Sequence, residues 1–241
     1  MSWFRKVWFF WSLFHFFWIM LLCLPFVILP IMMDEKKGGD FANLFLKIWV
    51  NGFCAFSGIF FKAVGTEKLK KDATYIFTAN HSSYLDSPAI VASIPDYFKP
   101  LGKQEILKMP VFGFVFKHIG VTVDRSSNMS RIRSLMKIKE KIEKGISILF
   151  FPEGTMNTTA ESLIPFQSGA FWLAIHSQTP IVPMAIKNSR QILPRNSLEL
   201  RTGTIHVEFG DPIPTKGLTQ KDLESLKEQT FERIKEMLEK K

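Results

Sequence analysis

The segment Asn80-His81-Ser82-Ser83-Tyr84-Leu85-Asp86 places a histidine five residues before an aspartate. An imidazole that donates from one nitrogen to a carboxylate is held in a single tautomer, and its other nitrogen is then free to act as a general base. Five residues along a regular helix turn by about 500°, leaving two side chains roughly 140° apart, so this pair can meet only across a turn. For an isolated pair the plainer reading is a helix-capping Asp86 beside a packed His81. Further reactive groups along the chain overturn it.

In Phe151-Pro152-Glu153-Gly154-Thr155 a carboxylate is followed by a residue that lets the main chain approach a ligand closely. Glu153 there can take hydroxyls or a cationic neighbour, although the segment alone is only a strand-ending turn. Val123-Asp124-Arg125 offers a guanidinium suited to bidentate phosphate binding, or else a surface ion pair. Lys103 adds a second cation, which by itself reads as a solvated lysine. His15, His81, His118, His176 and His206 are scattered without ligand spacing, and Cys23 and Cys54 sit in apolar runs as small hydrophobes. Metal-independent chemistry follows, and no Gly-x-Ser-x-Gly elbow calls for an acyl-enzyme.

These groups must be positioned by short β-rich runs alternating with helical periodicity. The strands expected are 74–78, 120–123, 146–151, 180–186 and 204–209. The spacing of Ile132, Leu135, Met136 and Ile142 predicts a helix over 130–144, with Ser130 as N-cap and Gly145 as C-cap. Leu223, Leu226, Ile234 and Leu238 predict a docked amphipathic helix in the tail. The expected fold is α/β, a central mixed sheet flanked by helices, whose ligands gather beyond the carboxyl ends of the strands. His81 follows the first of these strands, and Asp86-Ser87-Pro88 resembles a helix start with Asp86 as its N-cap.

The chain has 241 residues, enough for one main domain with appendages. Residues 7–33 carry no formal charge, and about 20 mainly apolar residues cross a bilayer, so this run is expected to be a retained anchor that Pro25 and Pro30 can bend. A second apolar run, 41–64, has a charge-free core of only 14 residues, 48–61. It suits a re-entrant or interfacial helix, or a buried core helix. The expected organisation is a two-helix membrane anchor over 1–64 and an α/β domain over 65–241. Net charge is +9, and a basic domain beside an apolar anchor suits an anionic membrane or a phosphorylated substrate. Nucleic acid is not indicated, because basic helices interleaved with stacking aromatics are missing.

Four segments together, NHSSYLD at 80–86, GVTVDRS at 120–126, FPEGT at 151–155 and IVPMAI at 181–186, resemble the glycerolipid acyltransferase family, especially its 1-acylglycerol-3-phosphate acyltransferases. The resemblance covers about residues 60–215, and Lys103, Glu105, Pro110 and Gly113 look like the family's connecting pattern. Met156, Asn157 and Gln167 depart from it, since arginine and serine commonly continue FPEGT and a lysine is common at the third position.

The resemblance implies direct acyl transfer to lysophosphatidic acid from acyl-CoA or acyl carrier protein, with no cofactor. His81 is then the base, oriented by Asp86. Arg125 and Lys103 hold the acceptor phosphate, Glu153 and Gly154 position the glycerol with Thr155 beside them, and Val182 and Pro183 shape the donor or acceptor side. A membrane-bound enzyme on the cytoplasmic face of the inner membrane is expected. The alternatives are an acyltransferase for glycerol-3-phosphate or another lysophospholipid, and a non-catalytic membrane lipid-binding protein.

Overall fold

The computed structural model describes residues 2–109, 112–124, 126–195 and 197–240. Helix α1 (Ser2–Met33) continues through Pro25 and Pro30, and α2 (Lys37–Ser57) returns antiparallel beside it. Indole donors join the pair, Trp49 Nε1 to Phe16 O at 2.9 Å and Trp8 Nε1 to Ser57 O at 3.1 Å. The turn between the helices depends on two glycines. A Cβ on Gly38 would stand 1.8 Å from Pro30 O, and one on Gly39 2.2 Å from the Tyr97 ring.

The second apolar run is not helical to its end. Gly58 takes φ +62° and caps α2, and the next six residues form strand β1 (Ile59–Val64). The chain then continues through β2 (Ile76–Ala79), α3 (Asp86–Ser93), β3 (Phe98–Lys103), α4 (Phe112–Ile119), β4 (Val121–Val123) and α5 (Asn128–Glu143). After these come β5 (Ser147–Phe150), α6 (Gly169–Ser177), β6 (Ile181–Lys187), α7 (Ser189–Ile192), β7 (Gly203–Phe209) and α8 (Leu223–Glu239). All five strands expected from pattern are present, with ends shifted by two residues at most. Ser127, not Ser130, caps α5, its Oγ accepting from Ser130 N.

Among the described residues seven strands form one sheet in the order β1-β7-β6-β2-β5-β3-β4. The β6–β7 pair is antiparallel and every other pair parallel, so the sheet is mixed as expected. Alternation along β2 sends Ile76 to one face and Phe77 to the other. Helices α2 and α3 cover the Phe77 face, while α5, α6 and α8 cover the Ile76 face. The tail helix is docked as expected, with Leu223, Leu226 and Ile234 buried.

Helix α2 therefore fits both readings of its sequence. Val50, Phe53 and Cys54 are buried in the core, whereas Phe41, Leu44, Ile48 and Phe56 are exposed. On α1, Phe14, Trp18, Leu22, Phe26 and Leu29 are all exposed. Among the described residues Trp3–Met33 is the one helix long and apolar enough to cross a membrane, by length and composition. Only 28% of its most apolar window is buried, which separates it from a core helix of a soluble domain.

The tip of the hairpin is fastened electrostatically. Glu35 Oε1 lies 3.2 Å from Lys99 Nζ and Oε2 lies 2.6 Å from Lys141 Nζ. Lys99 is buried and also donates to His118 O at 2.8 Å. Burial raises the Glu35 carboxyl, and the two lysines outweigh it, leaving its pKa below the usual value. Removing one partner of such a group strands the other charge. Glu35→Gln is expected to lower unfolding stability by about 2 kcal/mol in detergent, whereas Glu224→Gln, at an exposed helix pair, should change it by under about 0.5 kcal/mol.

Candidate functional site

Strand β2 is followed by the buried Asn80, whose side chain stitches the site to the neighbouring strand. Its Nδ2 donates to Ile186 O at 3.0 Å and its Oδ1 accepts from Ile186 N at 2.7 Å. The next residue is His81, beyond the carboxyl end of the strand.

Asp86 is the first residue of α3 and not its cap; Leu85 occupies the cap position. The carboxylate is instead turned back into the preceding loop. Its Oδ2 accepts from Ser82 N at 2.6 Å and Ser83 N at 2.8 Å, and His81 Nδ1 lies 2.9 Å away. An oxygen already facing two amide donors sets the ring's tautomer, so Nδ1 carries the proton and Nε2 keeps its lone pair. Asp86 is fully buried, while the His81 side chain remains 19% exposed. No described residue bonds Nε2. The imidazole also stacks on Phe151, with ring centroids 4.1 Å apart and planes 18° apart.

The main chain of His81 is gripped on both sides. Glu153 Oε1 accepts from His81 N at 2.7 Å, and Asn157 N donates to His81 O at 2.7 Å. The other Glu153 oxygen accepts from Ile164 N at 3.2 Å. Burial pushes the Glu153 carboxyl up to about 7, against the amide bonds that pull it down. Glu153 is thus buried and occupied by two amides, where contact with the acceptor glycerol was expected.

Asn157, a departure from the family pattern, is itself buried and well tied. Its Oδ1 accepts from Thr159 N at 2.9 Å and its Nδ2 donates to Glu161 O at 3.0 Å. Arg190 Nη1 donates to Thr159 O at 2.6 Å and so braces the same loop from outside.

Gly154 takes φ +73°, a conformation that favours glycine, and lets the chain reverse after β5. Thr155 is exposed at this turn. Lys103 is exposed at the end of β3. Arg125 and Pro110 lie outside the described residues. Val182 and Pro183 are placed differently from expectation: both are buried in β6, Pro183 in register with Thr78, and neither lines the cleft described next. An apolar six-residue run flanked on both sides by strands is core, whatever family motif it belongs to.

A cleft of about 480 Å³ adjoins the site on the α5–α6 side of the sheet. Leu101, Val123, Leu135, Phe150, Phe151 and Trp172 supply its apolar walls, and Gly154, Arg131 and Gln167 also line it. Since Phe151 packs on His81, one aromatic ring separates the cleft from the imidazole. Among the described residues no three His, Cys, Asp or Glu side chains converge as a metal site would require.

Sequence reasoning found the His81–Asp86 pair but not Asn80, Phe151, Asn157 or Arg131. Asn80 and Phe151 are the first residues of motifs already singled out, so position was the available signal. Arg131 had none, because its partners in the cleft come from distant segments.

Comparison with known proteins bears on this arrangement. A family model for acyltransferases matches residues 61–187. The human 1-acyl-sn-glycerol-3-phosphate acyltransferase beta is 27% identical over 192 residues, covering 78% of this chain and 69% of that protein. The 1-acyl-sn-glycerol-3-phosphate acyltransferase of Limnanthes douglasii is 31% identical over 204 residues, covering 83% and 68%. The crystal structure of the 1-acyl-sn-glycerophosphate (LPA) acyltransferase PlsC from Thermotoga maritima superposes with a TM-score of 0.76 at 20% identity, over 98% of this chain and 93% of that one. That structure shares the fold, and the family match spans both the His81 and the Glu153 motifs. The chain belongs to the acyltransferase family.

Proposed function

We propose that the protein transfers an acyl chain from a thioester, of coenzyme A or acyl carrier protein, to the sn-2 hydroxyl of 1-acylglycerol-3-phosphate, making phosphatidic acid. The observation that carries this reading is His81, fixed by Asp86 through Nδ1 and with Nε2 bonded by no described residue at the carboxyl edge of the sheet. The names of the human and Limnanthes douglasii relatives support the choice of acceptor.

In this reading Nε2 takes the proton of the acceptor hydroxyl as its oxygen attacks the thioester carbonyl. The new C–O bond forms, the C–S bond breaks, and the imidazolium returns the proton to the departing thiolate. Asp86 stabilises the imidazolium while it exists. No acyl-enzyme is required, and the thioester brings all the activation the reaction needs. Lys103 and Arg125 meet the acceptor phosphate, and Gly154 and Thr155 form the turn beside which the glycerol lies. Glu153 serves by holding the His81 main chain.

The acceptor and product are lipids, which accounts for the exposed apolar face of α1. Held in the membrane by that face, on the cytoplasmic side where acyl thioesters are made, the site receives acceptor laterally. Replacing Phe14, Trp18 and Leu22 together by glutamate is expected to weaken co-sedimentation with anionic vesicles by about tenfold or more. Turnover of acceptor dispersed in detergent should persist. Unchanged sedimentation would remove α1 as the anchor.

The deciding experiment incubates the purified protein with lysophosphatidic acid and a long-chain acyl thioester and measures phosphatidic acid. Parallel reactions offer glycerol-3-phosphate, other lysophospholipids, or no acceptor. Product from one of those acceptors alone would replace the acceptor in this reading. Free fatty acid released equally with and without acceptor would replace the reaction class.

A further inference from the structure

The polar side chains lining the cleft beside His81 are Arg131, Gln167 and Ser168, and of these Arg131 alone is charged. Arg131 lies in the second turn of α5 and is exposed. Five of the six other described arginines have visible employment, while Arg133, which does not line the cleft, has no carboxylate or carbonyl partner among the described residues. Arg5 pairs with Glu199, Arg233 with Glu236, and Arg190, Arg195 and Arg201 donate to main-chain carbonyls. Among the described residues no carboxylate or carbonyl takes the guanidinium of Arg131, although it faces a cavity.

The surroundings of Arg131 favour an anion. Lys103 pairs in register with Val123, a wall residue, and lies on the same side of β3 as Leu101, another wall residue. Its ammonium therefore leaves the sheet on the cleft side. Apolar walls exclude water and strengthen the attraction between a guanidinium and a bound anion. A guanidinium fork matches two phosphate oxygens at once. Gln167, which faces the same cleft, is neutral at a position where the family commonly has a lysine, so Arg131 is the charge this cleft presents from its helical side.

We propose that Arg131 binds the phosphate group of a substrate in this cleft, with Lys103 at its rim. The inference rests on the acyl-transfer reading, in which two substrates bring such a group. One is the phosphate of the lysophospholipid acceptor, and the other is the phosphate of the phosphopantetheine arm that carries the thioester. Either is a phosphate ester attached to an apolar chain, which is what a cationic, apolar-walled cleft fits.

Arg131→Ala separates these sources. With thioester saturating, the KM for lysophosphatidic acid is measured; with acceptor saturating, the KM for the thioester. One of the two is expected to rise by about 10- to 100-fold, with kcat within about twofold. The KM that moves identifies the phosphate. The double variant Arg131→Ala/Gln167→Lys should recover at least part of the loss, because residue 167 faces the same cleft. A packing role for Arg131 would not be restored that way.

Direct binding keeps the inference testable apart from turnover. Titration calorimetry in detergent with 2-deoxy-lysophosphatidic acid, which lacks the reacting hydroxyl, and with coenzyme A should show at least one ligand bound more weakly by the Arg131→Ala protein. If both ligands bind wild type and variant equally, or neither binds wild type, the assignment of Arg131 is wrong. If wild type makes no phosphatidic acid yet binds either phosphate ester through Arg131, the acyl-transfer reading fails and the Arg131 site stands.

Discussion

His81→Ala is expected to reduce phosphatidic acid formation by about 10²- to 10⁴-fold, the range that a positioned general base contributes. Folding should be spared, because the main-chain bonds of residue 81 to Glu153 and Asn157 need no imidazole. The Asp86 carboxylate would still accept from Ser82 N and Ser83 N. Asp86→Asn is the sharper companion. An asparagine oxygen standing where Oδ2 stands can still accept from the two amides and from His81 Nδ1, but it carries no negative charge to stabilise the imidazolium. The base would be weakened by loss of that charge while the histidine keeps its place and its tautomer. Initial rates beside thermal unfolding curves check both variants. Rates within tenfold of wild type, with unfolding unchanged, would show that His81 is a packed loop residue.

Glu153→Ala is expected to be the most damaging substitution for the architecture of the site. It leaves the amides of His81 and Ile164 without their acceptor in a buried setting, at about 1–3 kcal/mol for each. Activity should fall with stability, since the loop that aims His81 loses one of its two main-chain anchors. Glu153 also makes a pH prediction. Burial raises its folded pKa from the ordinary 4.5 to about 7, so between these values the folded state binds more protons than the unfolded state. Its contribution to stability is therefore fully present below pH 4.5 and is lost as pH rises through about 7, for a total change of about 3 kcal/mol. Chemical unfolding at intervals across this window should show stability declining with pH in wild type, with that component missing in Glu153→Gln. An identical pH slope in the two proteins would contradict the buried, proton-binding Glu153 described here.

Much of the sheet was legible because its strands announce themselves locally. Runs such as Ile181–Lys187 are apolar and bounded by turn residues. Strand β3 was not legible. Its sequence, Phe-Lys-Pro-Leu-Gly-Lys, carries a proline, a glycine and two lysines, and it is extended because β5 and β4 hold it on either side. Strand β1 was hidden for the opposite reason, since an unbroken apolar run looks the same in helix and strand. Gly58 was the available sign of the break, and only its pairing partner β7 makes the following residues a strand.

What the sequence by itself determined is the set of local facts: the uncharged N-terminal run, the strand that delivers His81, and a combination of motifs specific enough to imply acyl transfer. These depend on residue type and on neighbours a few positions away. Tertiary structure alone decided the uses to which side chains are put. Glu153 meets His81 across 72 positions of chain, and Glu35 meets Lys141 across 106. Val182 and Pro183 are buried in the sheet beside β2. Arg131 faces a cleft whose walls come from β3, β5 and α6. A carboxylate, a proline or a guanidinium has the same chemistry wherever it occurs in a chain, but burial and partners select what it does, and those are properties of segments brought together by folding.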